Sequence, residues 1–152
     1  MKKKIVVQIP CLNEEKGIAN VIKQIKKIIP KSRIIVYDNG SNDQSVQIAR
    51  KNGVEVRFIN KKGKGNVVRS MFSDNIEADY FVMVDGDNTY DLSNLNKMLE
   101  SMEKFNYDMI VGKRVHKDTQ AYRKGHIIGN KFFSNFVSLF FGKETNKIWK
   151  KF

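Results

Sequence analysis

The chain carries a single cysteine, Cys11, in 152 residues. One thiol excludes an internal disulfide and suits a reducing compartment. No histidine lies near it in sequence, so Cys11 reads as a buried structural residue rather than a nucleophile. His116 and His126 are isolated and read as surface or structural residues. Long apolar runs are also missing. The opening "MKKKIVVQIP" has a basic head but only about five apolar residues before Pro10, too few for the core of a signal peptide. No stretch approaches the roughly 18 apolar residues of a membrane span. Repeats, Pro- or Ser-rich linkers and low-complexity tracts are absent. So are two phosphate-binding signatures: no GxGxxG follows the first apolar run, and GxxxxGK[ST] does not occur. Acidic residues are scarce, 16 Asp and Glu against 28 Lys and Arg, for a formal charge of +12. That excess suits an anionic partner, whether nucleic acid, acidic lipid or polyphosphate, or it is a solvated lysine-rich surface.

What is present is one domain's worth of chain, 41% hydrophobic and 29% charged, able to bury a core. Ile5–Pro10 reads as a buried strand. In Glu15–Ile29 the residues Ile18, Val21, Ile22, Ile25, Ile28 and Ile29 make one helical face with lysines opposite, and Pro30 stops the helix. Arg33–Tyr37 is a second strand, followed by the turn "DNGSND". A helix starts near Asn42 or Asp43 and ends at Asn52-Gly53. Val54–Ile59 is a third strand and "NKKGKGN" a basic glycine loop. Val67, Val68, Met71 and Phe72 mark a helix, Tyr80–Val84 a fourth strand, Leu92–Phe105 a helix, and Met109–Val111 a fifth strand. Strand and helix alternate, which predicts an α/β fold with a mostly parallel sheet and helices on both faces, in three layers α/β/α. Ligands of such sheets collect beyond the carboxyl ends of the strands. The polar clusters sit there: "PCLNEE", "DNGSND", "NKKGKGN", "DGDNTYD" and "GKR", one after each strand in turn.

The stretch "YFVMVDGDNTYD", Tyr80 to Asp91, runs apolar and then acidic. In an extended segment, residues two apart point to the same side. Asp85 and Asp87 can therefore converge two hard oxygen ligands on Mg2+ or Mn2+, which would also accept phosphate oxygens and act as a Lewis acid on a departing diphosphate. The competing reading is turn formation and helix capping, which is the role assigned to Asp91. Asp38 ends the second strand, where its carboxylate either accepts a hydrogen bond from a base N–H or closes an Asx-turn. Lys61, Lys62 and Lys64 precede a helix N-terminus that would favour anions, or else form a solvated loop. Arg114, after the fifth strand, is placed to clamp a phosphate.

These clusters, in this order, resemble family 2 glycosyltransferases of the GT-A fold, the Rossmann-like nucleotide-diphospho-sugar transferase fold. The polyprenyl-phosphate (dolichol-phosphate-type) sugar transferases are the most similar. "IPCLNEE" looks like their opening strand and loop, with Leu12 where a Tyr is usual. "VYDNGSNDQS" is similar to their Asp-Asp-Gly-Ser-x-Asp turn, with Asn39 for the second Asp. "NKKGKGNVVRSMF" looks like their Gly-x-Gly loop and helix, "MVDGDNTYD" their DxD strand end, and "IVGKRV" their Gly-Ser-Arg segment with Lys113 for Ser. The resemblance implies that Pro10, Leu12, Glu14, Val36 and Asp38 line the nucleotide pocket. It also implies that Lys64 and Gly86 lie near the nucleotide, that Asp85 and Asp87 hold Mg2+ or Mn2+, and that Arg114 touches the diphosphate. The implied reaction is inverting transfer of a hexose from a UDP- or GDP-sugar to a lipid-phosphate acceptor, at the cytoplasmic face of a membrane, with no nucleic acid partner.

"RKGHIIGNKFFSNFVSLFFG" sharpens the membrane expectation. Ile127, Ile128, Phe132, Phe136 and Phe140 recur at near-helical spacing, interrupted by Lys131 and by Asn and Ser. A helix over 122–141 either lies in a lipid interface as a peripheral anchor or packs on the sheet or a partner. Residues 101–152 hold 11 Lys and Arg against 4 Asp and Glu, in keeping with an acidic surface. The chain divides into a nucleotide-sugar-binding domain over 1–142 and a basic tail over 143–152. The family's Asp-x-x-Ser-Gly-Phe/Tyr-Arg segment has no counterpart here. The fold is expected to be incomplete on its C-terminal side, as in a shortened or frameshifted product, with transfer weak or lost and a tendency to form homo-oligomers.

Three other readings compete. An inactive remnant would keep nucleotide-sugar binding without transfer. A basic module for nucleic acid or acidic lipid uses the charge but leaves Asp38, Asp85 and Asp87 without a purpose. "DGDNT" also matches the DxDxT of haloacid-dehalogenase-type phosphatases, but that motif follows the first strand of its fold and needs a later acidic pair. Here it follows the fourth strand, and Asp108 and Asp118 are isolated.

Overall fold

The structure is a computed structural model and describes residues 3–112. Met1–Ile110 form one compact unit and Val111–Phe152 fall in a second; the first carries the fold described below. Arg114, the segment 122–141 and the tail 143–152 lie outside the described residues. The elements run β1 (Ile5–Cys11), α1 (Ile18–Ile28), β2 (Arg33–Asp38), α2 (Ser45–Lys51), β3 (Glu55–Phe58), α3 (Lys64–Ser73), β4 (Tyr80–Met83) and α4 (Leu95–Phe105).

The strands form a four-stranded sheet in the order β3-β2-β1-β4, every pair parallel. β1 and β2 are buried on both faces, which is why they read as nearly continuous apolar runs. On one face Ile18, Val21, Ile22 and Ile25 of α1 and Ala49 of α2 pack with Val7, Ile9, Val36 and Val84. Each such aliphatic side chain contributes about 1.5–3 kcal/mol on burial. On the other face Val67 and Met71 of α3 pack with Val6, Ile35 and Tyr37. The α/β/α layering expected from the alternation is therefore present. Two polar groups inside it are satisfied. Gln8 Nε2 donates to Tyr37 Oη at 2.9 Å and to the Met71 carbonyl at 3.2 Å. Tyr37 in turn donates to Asp74 Oδ2 at 2.6 Å, and burial, with that bond, pushes its hydroxyl up to about 12.

Several boundaries differ from the periodicity; α2, expected from Asn42 or Asp43, begins at Ser45. α1 begins at Ile18, because Gly17 and Ile18 both donate to the Glu14 carbonyl and close a turn first. α4 begins at Leu95. Ahead of it Asp91 Oδ1 accepts from Ser93 N at 2.9 Å in a local turn; the helix cap expected of Asp91 is not formed, because the helix starts later and Asn94 takes the cap position. Met109–Val111 is not a strand. α4 ends on Asn106 in the left-handed region, Phe105 and Tyr107 stack at 5.5 Å, and Met109 and Val111 are left exposed. An apolar triplet becomes a strand only with a ladder partner, and among the described residues these three have none.

The crossovers through α1 and α2 cover one face and the crossover through α3 covers the other. The strand order therefore reverses between β1 and β4. That is a switch point, where the carboxyl-end loops of neighbouring strands part and leave a crevice. The segments after β1 and β4, Leu12–Glu14 and Asp85–Asp87, border it.

Candidate functional site

β1 ends at Cys11, whose buried thiol is pushed up to about 11 by desolvation, in keeping with a structural role. Leu12 then emerges half exposed, and Asn13 turns the chain in the left-handed region at φ 57°. Five hydrogen bonds fasten this loop to the one after β2, one of them from Gln44 N to Glu15 Oε2 at 3.2 Å. Asn13 N donates to Ser41 Oγ at 2.9 Å, Glu14 N to Ser45 Oγ at 2.7 Å, Glu15 N to Asp43 Oδ2 at 3.1 Å, and Asn42 N to Asn13 Oδ1 at 2.8 Å. Burial opposes ionisation of Asp43. The hydrogen bonds from Ser45 and from the Glu15 backbone outweigh it and hold the carboxyl below its ordinary range.

β2 ends on Asp38 and Asn39 follows it, both of them buried polar residues. Asp38 Oδ2 accepts from Gly40 N at 3.0 Å and from Ser41 N at 3.2 Å. This is the Asx-turn alternative, made possible by Gly40 at φ 88°. A carboxylate keeps further acceptor sites beyond these two bonds. Asn39 reaches the other way. Its Nδ2 donates to the carbonyls of Ile59 at 2.9 Å and Lys61 at 3.0 Å, and its Oδ1 accepts from Gly63 N at 2.7 Å. The amide thus clasps the basic loop that leads into α3.

Lys64, the first residue of α3, donates to Asp85 Oδ1 at 2.8 Å. Tyr90 Oη donates to Asp85 Oδ2 at 3.0 Å. The hydrogen bond to Asp85 raises the Lys64 ammonium above its usual value. Asp87 Oδ1 accepts from Thr89 N at 2.9 Å and Thr89 Oγ1 at 2.7 Å. Between the two aspartates, Gly86 lies under Glu14: a Cβ on Gly86 would meet Glu14 Cγ at 3.3 Å. The Glu14 carboxyl is raised, first by burial and then by Asp87, Asp85 and Asp43. An open cavity of about 490 Å3 lies beside this segment, lined among others by Asn13, Glu14, Gly17, Asp43, Asp87 and Asn88. Asp38, Lys64 and Asp85 do not line it.

The expected site residues therefore separate into groups. Glu14, Lys64, Asp85, Gly86 and Asp87 come together at the crevice, with Leu12 exposed nearby. Pro10 is buried. Val36 departs from the expectation that it lines a pocket. It has no exposed surface and belongs to the core beneath α1 and α2, because both faces of β2 are covered. Arg114 lies outside the described residues. Several residues escaped sequence reasoning. Gly17 abuts Gly86 and Asp87, and Gln24 of α1 donates to Asn88 Oδ1 at 2.8 Å. Tyr90 holds Asp85. The glycine before the first isoleucine of α1 was the one legible signal among them.

No group of three metal-binding side chains occurs among the described residues. Asp85 and Asp87 supply a pair of hard oxygen donors on one short turn, and such a pair holds Mg2+ or Mn2+ only together with ligand oxygens and water. The donor set thus fits a metal that arrives with a polyphosphate better than one bound by protein alone.

Residues 6–151 match the family model for glycosyl transferase family 2. The chain belongs to that family. This glycosyltransferase is 50% identical to protein RfbJ of Shigella flexneri over 123 residues, covering 80% of the chain and 95% of the relative. It is 30% identical to a dolichyl-phosphate hexose transferase of Haloferax volcanii, covering 86% of the chain and 56% of the relative. Among solved structures it is similar to the glucosyl-3-phosphoglycerate synthase of Mycobacterium tuberculosis, at 27% identity and a TM-score of 0.55, covering 66% of this chain and 40% of that one. That synthase is known in complex with Mn2+, UDP-glucose and phosphoglyceric acid, and with Mg2+ and UDP. The parallel sheet with its flanking helices is thus a GT-A-like fold, and the enzyme class is a family 2 glycosyltransferase. The chain spans nearly all of one relative but about half of several others. No described helix is long and apolar enough to cross a membrane.

Proposed function

We propose that this family 2 glycosyltransferase moves a hexose from a UDP- or GDP-sugar to a polyprenyl-phosphate-type lipid, with a divalent metal and with inversion. The observation that carries the reading is the meeting of Asp85, Asp87, Glu14 and Lys64 at the switch point between β1 and β4. A nucleoside diphosphate needs there both a carboxylate pair for a cation and an ammonium for its own oxygens. Leu12 offers apolar surface to the base, and Asp38 closes the turn beside it. When bound, Mg2+ or Mn2+ would supply Lewis-acid stabilisation of the diphosphate leaving group, held by Asp85 and Asp87. Lys64 would add its positive charge to the same oxygens as they separate.

The acceptor in this reading is already an anionic nucleophile. Its phosphate oxygen forms the new bond to the anomeric carbon while the bond from that carbon to the diphosphate oxygen breaks. A single displacement of this kind inverts the centre and requires no strong base. The named hexose transferase of Haloferax volcanii supports a lipid-phosphate acceptor. The basic balance of the chain supports a peripheral position on an anionic, cytoplasmic membrane face.

A thermal-shift panel of UDP- and GDP-sugars, each with and without Mn2+, tests the reading. At a hundredfold excess over Kd a bound donor stabilises by about 2.7 kcal/mol, enough for a clear rise in Tm. The rise is expected for one nucleotide series, only with metal, and is lost in Asp87→Ala. A Tm indifferent to every activated sugar with Mn2+ overturns it.

A further inference from the structure

We infer that Lys64 is an exchangeable internal counter-cation, which occupies Asp85 until a nucleoside diphosphate draws it away and so makes metal binding conditional on the nucleotide. This rests on the metal-dependent reading above and deepens it.

Four observations carry the inference. Asp85 has a partner at each oxygen: Lys64 Nζ at 2.8 Å on Oδ1 and Tyr90 Oη at 3.0 Å on Oδ2. Each oxygen keeps a second lone pair, but a divalent cation approaching Oδ1 meets the positive charge of the ammonium already held there. Second, the pair is open on the lysine side. The Lys64 side chain is 64% exposed and that of Asp85 21%. Ion pairs with one partner in solvent are weakly held, so the ammonium can leave at small cost.

Third, Lys64 sits between two glycines. Gly63 has φ 113°, and nothing lies within 4 Å of a Cβ built on Gly65. Neither neighbour carries a side chain beside Lys64, whose own side chain is mostly in solvent and so has room to swing. Fourth, the root of the loop is fastened by the three hydrogen bonds of Asn39 to Ile59, Lys61 and Gly63. The exchange is thus confined to the lysine side chain, which stays within reach of the crevice.

A metal arriving alone competes with the ammonium and leaves it beside a dication. A metal arriving with a diphosphate brings anionic oxygens onto which the ammonium moves. The two ligands then bind cooperatively, and linkage makes the effect reciprocal: metal tightens nucleotide by the factor by which nucleotide tightens metal.

The test is Mn2+ binding by calorimetry and by electron paramagnetic resonance of free Mn2+, with no sugar and no turnover. Wild type and Lys64→Met are compared alone, with UDP and, in a parallel series, with GDP. In the wild type one nucleotide should tighten Mn2+ binding about tenfold or more. In Lys64→Met the metal-only affinity should rise severalfold and the nucleotide effect shrink. Lys64→Gln, which keeps a polar group without charge, should behave like Lys64→Met. If both variants bind Mn2+ alone no better than wild type, the counter-cation role is overturned while the metal site stands. If no protein binds Mn2+ even with UDP or GDP, the metal-dependent reading falls and this inference with it.

Discussion

A Cβ placed on Gly17 would lie 2.6 Å from the carbonyl oxygen of Gly86 and 2.7 Å from the carbonyl carbon of Asp87. The turn entering α1 and the acidic segment after β4 are thus in backbone contact, and no side chain fits between them. The converse position is less strict. A Cβ on Gly86 would meet Glu14 Cγ at 3.3 Å, Glu14 Cβ at 3.4 Å and Ile18 Cδ1 at 3.4 Å, side-chain atoms at longer range rather than backbone.

Gly17→Ala should therefore cost about 1–3 kcal/mol, the range for forcing an extra carbon into a packed site. Gly86→Ala should cost less. Urea denaturation of the two variants checks the order. Equal stabilities, or a neutral Gly17→Ala, would show that the two segments do not interlock as described.

Asn39→Asp tests the clasp on the basic loop. The amide donates to two carbonyls, at Ile59 and Lys61, and an ionised carboxylate would turn lone pairs toward both. Leaving such buried partners unsatisfied costs about 1–3 kcal/mol. The Gly63 N–H keeps its acceptor. The expected result is a lower urea midpoint at pH 7 and faster amide hydrogen exchange around Lys61–Gly63, with the β1–α1 loop unchanged. Unaltered exchange there would mean the loop holds its shape without Asn39.

Glu14→Gln tests the crowding of carboxylates. Burial, then Asp87, Asp85 and Asp43, raise the Glu14 carboxyl in the folded chain. A raised folded pKa means that the folded state binds the proton more tightly. Its stabilising contribution is complete below the unfolded value, roughly 4.3 for Glu, and is lost as pH rises through the folded value. The variant cannot lose it. Its unfolding midpoint should exceed that of wild type at pH 7, with the gap closing toward pH 4. A gap that stays constant across that range would exclude Glu14 as its source.

Much of this was legible along the chain. The spacing of Ile18, Val21, Ile22 and Ile25 names the buried face of α1, and those four residues are core. The alternation of strand and helix gives a parallel sheet, and the order of polar clusters points to its carboxyl edge. What was not legible has particular causes. Met109–Val111 has the composition of a strand but no ladder partner among the described residues. Val36 was expected at a pocket, yet a strand covered on both faces offers no side chain to a ligand. Asp38 carried two local readings, and only the backbone geometry of Gly40 and Ser41 shows that its oxygens close the turn.

Local periodicity and turn chemistry are properties of neighbouring residues, so the sequence by itself determined the eight elements from β1 to α4, their order and the family, but not the absence of a strand at Met109–Val111. The meeting of Lys64 with Asp85, of Glu14 with Gly86 and of Asn39 with Gly63 was decided by the tertiary structure alone. Each joins loops that follow different strands. Their distances depend on strand order and on which face each crossover takes, and β4 lands beside β1 because α3 packs on the face opposite α1 and α2.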